Sequence, residues 1–417
     1  CDFEVQFEIA HNLIHGLVGG NTQYGLSSLS YSAFDPIFYI HHSSIDRIWA
    51  IWTALQQQRN KPYKAHCAQS YVHTPLKPFA FSSPYNNDES TFLHSTPTNV
   101  YDYIEEFGYN YDNLEFGGLT VAQLDTYINT QIKTKDRVFA GIQLHGIQKS
   151  GLANIYVTAP GREKYAAGRF ALLGGPSEMP WRFDRVYKHD ITHALEALKL
   201  HWADPYNVTV EINEFDGTPI DAHVFPEIDV SYEPADSSHD AVKSDVHVRK
   251  SVDKLIPTEV LNLRHALAFL EEDKSQAGYQ TLGRFHGATL WCPSPSAEKK
   301  LACCLHGMPT FPHWHRLLTI QAENGLRSHG LIGGLPYWDW TQPLSSLPEI
   351  VSTKTYIDPS NNKEEANPFY SAHIDDANQD TVRSVRADLF QKPAFGEYTA
   401  IAKQILLALE QDNFCDF

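Results

Sequence analysis

The stretch "EIAHNLIHG" places His11 and His15 four residues apart. On a helix, positions i and i+4 share a face, so the two imidazoles could grip one metal ion. For an isolated pair, two buried histidines satisfied by hydrogen bonds would be the plainer account. Further clusters change that balance. "DPIFYIHHSSIDRIW" supplies His41 and His42 at the start of a helical pattern, with Asp46 one turn beyond His42. Asp46 could orient a ligand from outside the coordination shell, or could equally pair with Arg47 or an external cation. "RFHGATLWCPSPSAEKKLACCLHGMPTFPHWHRLL" holds His286, His306, His313 and His315 together with Cys292, Cys303 and Cys304. A structural zinc site would show paired cysteines at short spacing in both halves. Here the only adjacent cysteines are Cys303 and Cys304. A donor set made of imidazoles suits copper, zinc, iron or nickel rather than calcium or magnesium.

Such side chains need rigid elements to hold them. Val5, Ile9, Leu13, Ile14 and Leu17 recur at helical spacing from about residue 3 to 18, and a second helical pattern runs from about Pro36 through "HHSSIDRIWAIWTALQQQR". From about 135 to 232 the character changes. "RVFAGIQL", "ANIYVTA", "GRFALLGG" and "NVTVEINEF" are short β-prone runs separated by turn residues, as in a sandwich or barrel. "YEPADSSHDAVKSDVHVRK" is rich in Asp and Ser and predicts an exposed linker. Helical periodicity resumes in "PTEVLNLRHALAFLEED" and "PAFGEYTAIAKQILLALEQ". The expected fold class is α+β, divided as 1–134 helical, 135–232 β, 233–256 linker and 257–417 helical.

At 417 residues the chain is long enough for more than one core, and its composition, 42% hydrophobic and 20% charged, is that of a soluble protein. No run approaches the ~18 to 20 apolar residues of a membrane span. A net charge of −17 speaks against a nucleic-acid partner, which calls for basic patches. The 21 histidines are many for this length and they cluster. The sequon Asn207-Val208-Thr209 makes Asn207 a glycosylation candidate in a secreted setting.

"DPIFYIHHSSIDRIW" and "CCLHGMPTFPHWHRLL" resemble the CuB and CuA motifs of the type-3 copper proteins, which include tyrosinases, catechol oxidases and molluscan haemocyanins. "WCPSP" followed by "ACCLHGMPTFPHWHRLLT", with an appended β block, is most similar to a molluscan haemocyanin functional unit. That resemblance implies a mainly helical dinuclear-copper core of four-helix-bundle type beside an antiparallel β-sandwich. It implies His11, His15 and His42 as CuB ligands and His286, His306 and His315 as CuA ligands, with His41 and His313 as non-ligand neighbours. It further implies a thioether between Cys304 and His306, and disulfides Cys292–Cys303 and Cys1–Cys67. Leu173, or failing that Leu172, would shield the coppers from the "GRFALLGG" hairpin; an ordinary core leucine is the alternative. His265 has no place in the motif. The function implied is extracellular oxygen transport in haemolymph, with dioxygen held reversibly as peroxide between two coppers, in a large assembly with other units. This is a carrier rather than an enzyme; phenol or catechol oxidation at the same site is the alternative.

The order of the motifs departs from that of the family. CuA precedes CuB within a functional unit, whereas here the CuB half and β block come first. Cys1-Asp2-Phe3 also recurs as Cys415-Asp416-Phe417, a period of 414 (415 minus 1). The expectation is therefore the C-terminal part of one unit joined to the N-terminal part of the next. Whether the two half-sites pair turns on the distance between His42 and His315.

Overall fold

The structure, a computed structural model, describes residues 3–61, 74–79, 95–132, 137–144, 149–173, 185–220, 227–233, 247–275, 277–287, 303–304, 306–307, 309–390 and 399–411. Cys1, Cys67, Cys292 and Cys415 lie outside these ranges, and with them the Cys1–Cys67 pairing and the repeated tripeptide.

Helix α1 (Phe3–Gly19) buries Ile9, Leu13, Ile14 and Leu17 along one stripe. It ends where Gly20 takes φ +57°, the left-handed conformation that a residue without Cβ adopts at no steric cost. Helix α2 (Ile37–Gln58) begins after Pro36, whose fixed φ suits a helix start, and stops as Asn60 turns left-handed at φ +51°. Nearly its whole circumference is buried, so every polar side chain on it needs a partner.

In the second half of the chain, α3 (Pro257–Glu272) starts at a proline, and Glu259 reaches back to accept from the Ile256 backbone N–H at 3.0 Å. Helix α4 (Tyr279–His286) ends on a histidine, α5 (Phe311–Ser328) opens on Phe-Pro, and α6 (Ala400–Leu409) is capped by the Thr399 hydroxyl. The two halves interlock: α2 packs on α5, and α1 packs on α6. One hydrophobic core spans both, from Ile14, Ile40 and Trp49 to Leu282, Trp314 and Leu406.

Between the halves lies the sandwich. Strands β2 (Arg137–Leu144), β3 (Gly151–Thr158), β4 (Tyr165–Leu172), β5 (Arg185–Asp190), β6 (Asn207–Asn213) and β7 (Glu227–Glu233) form two three-stranded sheets. Their orders are β5-β2-β7 and β4-β3-β6, with every pairing antiparallel. Val138, Ala140, Ile142, Ile155, Phe170 and Tyr187 fill the space between them. The sandwich rests against the helices through α1 and β4.

The expected exposed linker needs correction at its C-terminal end. Residues 234–246 lie outside the described ranges, but β8 (His247–Arg249) is a strand paired in parallel with β1 (Tyr109–Tyr111). Val252 then donates to the Tyr337 carbonyl at 2.8 Å. The pattern misleads because the inward residue is a charge: Arg249 is fully buried while Val248 faces solvent.

Candidate metal centre

Helix α1 sets His11 and His15 on one face, with ring centroids 4.3 Å apart. Helix α2 contributes His41 and His42, and one nitrogen from each of these four rings falls within 4.8 Å of the others. A second group forms from His286 at the end of α4, His306 in the loop before α5, and His315 on the first turns of α5. Its rings are 4.8 to 5.4 Å apart. The groups face each other. His42 stacks on His315 with centroids 4.6 Å apart and planes 9° from parallel, and His11 lies 5.9 Å from His306. The half-sites thus meet within one chain.

Hydrogen bonding selects the tautomer on several rings. Nδ1 of His15 donates to the Leu26 carbonyl at 2.6 Å, and Nδ1 of His315 to the Phe311 carbonyl at 2.8 Å. Nδ1 of His286 lies 3.3 Å from the Leu29 carbonyl, and that of His11 lies 2.9 Å from Asn12 Oδ1. With Nδ1 protonated, Nε2 carries the lone pair. The Nε2 atoms of His15, His286 and His315 are buried and have no hydrogen-bond partner among the described residues. Nε2 of His11 faces Nε2 of His42 at 3.3 Å. Buried acceptors left bare and aimed at a common centre are costly without a cation between them. These donors fit a metal that prefers imidazole.

Among the side chains beside the motif, His41 is the one placed otherwise than the resemblance implies. His313 is buried against Trp49 and Tyr101 and belongs to neither group. His41 lies closer than the resemblance implies. It stacks on His11 at 5.2 Å, and neither of its nitrogens has a hydrogen-bond partner among the described residues. Four imidazoles therefore crowd one side, although it is His42 that faces the opposite group. His265 sits apart, bonded to Asp358 at 2.9 Å.

Asp46 neither bonds a histidine nor pairs with Arg47, whose guanidinium instead bonds Asn113 and the Glu115 carbonyl. Its carboxylate accepts from Tyr109, Tyr111, Arg249 and Arg316. Burial pushes its pKa up, but the two guanidiniums and two hydroxyls outweigh that and hold it below the usual range. Nothing in the spacing of these residues announces the network. Arg316 adjoins His315 in sequence, but its partner lies 270 residues away.

Comparison with known proteins fits this architecture. The family described as "Haemocyanin beta-sandwich" matches residues 132–234, and "Common central domain of tyrosinase" matches residues 1–55 and 276–404. The whole chain is 54% identical to "Hemocyanin 2" of Megathura crenulata and 49% identical to "Hemocyanin G-type, units Oda to Odg" of Enteroctopus dofleini. The chain belongs to the molluscan haemocyanins. It spans only 12% and 14% of the length of those two relatives. Among solved structures, "Structure of a Functional Unit from Octopus Hemocyanin" matches at 43% identity and a TM-score of 0.50, over 56% of this chain and 61% of that one.

In this haemocyanin chain Cys303 is disulfide-bonded, and its expected partner Cys292 lies outside the described residues. Cys304 is fully buried, with its thiol donating to the His286 carbonyl at 2.8 Å. Leu172 packs within the sandwich core, whereas Leu173 joins the helical core that contains the histidines' neighbours. Asn207 is exposed at the start of β6.

Burial governs the protonation of the site. It lowers His15 to about 4 despite the bond to Leu26, and lowers His315 to about 3. Free imidazole titrates near 6.5. With folded values depressed, the unfolded chain binds more protons below pH 6.5, so stability falls as pH drops through that value. Below about 3 these groups add no further loss. The metal-free chain should therefore unfold at progressively lower urea between pH 6.5 and 4, by about 1.4 kcal/mol per unit of depression at each such histidine. Urea titrations at several pH values check this; a flat midpoint across the window would contradict it.

Proposed function

We propose that this chain carries dioxygen reversibly on two coppers, one held by His11, His15 and His42 and the other by His286, His306 and His315. The observation that carries the reading is the face-to-face placement of two buried imidazole groups, joined by the His42–His315 stack. Copper, when bound, supplies a one-electron couple and open positions suited to taking up and releasing oxygen. The protein's part is to fix geometry and keep water out. Backbone carbonyls of Leu26, Leu29 and Phe311 hold three of the rings in the ligating tautomer, and the surrounding apolar core excludes solvent.

Phenol oxidation is the second reading, favoured by the match to the tyrosinase central domain. What separates the two is access. Leu173, reaching from the end of β4 into the helical core, serves as the shield in this proposal. The chain should turn blue reversibly on oxygenation without turning over catechol, and Leu173→Ala should raise catechol oxidation severalfold while leaving oxygen binding in place. Irreversible bleaching, or fast turnover by the unaltered chain, would favour the oxidase.

The proposal includes a thioether joining Cys304 to the His306 ring. The peptide containing both residues should weigh two hydrogens less than its unlinked composition; a full-mass peptide with a titratable thiol would rule the bond out. Haemolymph, a large assembly with further haemocyanin units and a glycan on Asn207 complete the proposed setting. The relatives consist of several units, and no helix among the described residues is long and apolar enough to cross a membrane.

A further inference from the structure

The segment preceding α3 sends a charged side chain into the helical core. Arg249 on β8 is fully buried, and its guanidinium bonds to both helices that carry the stacked His42 and His315. Its Nε donates to Glu323 Oε2 at 2.7 Å, on α5 two turns beyond His315. Its Nη1 donates to Asp46 Oδ2 at 3.1 Å, on α2 one turn beyond His42. The group also covers the Tyr109 ring at 3.7 Å and lies 3.2 Å from the Tyr111 hydroxyl. Arg316, the neighbour of His315, holds the other oxygen of Asp46.

The fit is tight from the outside too. A Cβ at Gly334 would lie 2.8 Å from Arg249 Cγ, and Glu323 is held further by the Leu335 N–H at 2.7 Å and by His247 at 2.8 Å. His247 is the first residue of the same strand. Two residues of β8 thus grip the α5 carboxylate, and one of them also grips α2. A planar fork bonded to two carboxylates fixes their separation far better than a point charge could.

We propose that Arg249 is a positioning residue that couples strand β8 to the spacing of the two histidine groups, and through that spacing to oxygen affinity. A shift of β8 displaces Asp46 and Glu323 relative to each other, and with them the helix turns bearing His42 and His315. The inference rests on the oxygen-carrier reading above.

The test uses the full chain loaded with copper. Arg249→Lys keeps the charge but loses the fork. It should still bind two coppers, melt at lower temperature, and shift the oxygen pressure of half-saturation at least threefold. The control is Arg59→Lys, which weakens a buried ion pair of 2.7 Å with Asp125 that touches neither histidine group. It should lower the melting temperature without moving oxygen affinity. If Arg249→Lys fails to fold, His247→Gln loosens the same grip without unpairing a buried charge, and should shift affinity in the same direction by less. Unchanged affinity in a folded, copper-loaded Arg249→Lys or His247→Gln chain overturns the proposal, as does an equal shift in Arg59→Lys. Failure of the unaltered chain to oxygenate would instead overturn the carrier reading itself.

Discussion

Replacing His315 with Ala should abolish reversible oxygenation and reduce bound copper from two per chain to one. His315 belongs to the group with His286 and His306, yet its ring also stacks on His42 of the facing group. Its loss leaves two imidazoles on one side and opens a void at the contact between the halves. Losing an outer-shell partner of a metal ligand already costs roughly 10–100-fold in affinity, so loss of the ligand itself should exceed that. Metal content and the oxygen-dependent absorption bands measure the outcome. His313→Ala is the matched control: His313 is also buried, two residues earlier, and lies in neither group. It should keep two coppers and its colour. Full oxygenation by the His315→Ala chain would sink the six-histidine assignment.

The second large effect belongs to Asp46. Asp46→Asn removes the negative charge that Arg249 and Arg316 share, leaving the buried Arg316 guanidinium without its carboxylate partner. Breaking a buried ion pair from one side costs about 3–5 kcal/mol, because an uncompensated charge stays behind. Against a total stability of about 5–15 kcal/mol for a typical domain, that is enough to threaten folding. Glu323 still neutralises Arg249, but it does not bond Arg316. Urea unfolding of the metal-free chain should show the loss directly, and copper should recover part of it by binding only the folded state. A change under 1 kcal/mol would mean that the network contributes packing rather than charge balance.

His315 and Asp46 differ in how far the sequence reveals their roles. The histidines are legible because metal chemistry restricts both residue type and spacing, and helical periodicity alone sets His11 and His15 on one face. Asp46 is visible as a carboxylate in the right motif, but its partners are not. Arg249 comes from a stretch that composition assigns to a solvated linker, and Tyr109 and Tyr111 lie in a stretch without a recognisable motif. The sandwich shows the same division. The runs forming β2, β3, β4 and β6 are rich in apolar, β-branched and aromatic residues and are legible as strands. β5 and β7, "RVYKHD" and "EIDVSYE", alternate charge with apolar side chains and stand out only once β2 is there to pair with them.

By itself the sequence determined the family, the helical and β blocks, and the histidines available to hold metal, since these follow from local pattern and residue chemistry. It left open whether the CuB and CuA motifs of this one chain meet, because 273 residues separate His42 from His315 (315 minus 42) and local periodicity carries no information over that distance. Tertiary structure decided it. Helices α2 and α5 each bury nearly all their faces and need each other's apolar surface, and the buried charges between them, Asp46, Arg249, Arg316 and Glu323, neutralise one another. That packing sets the two rings 4.6 Å apart.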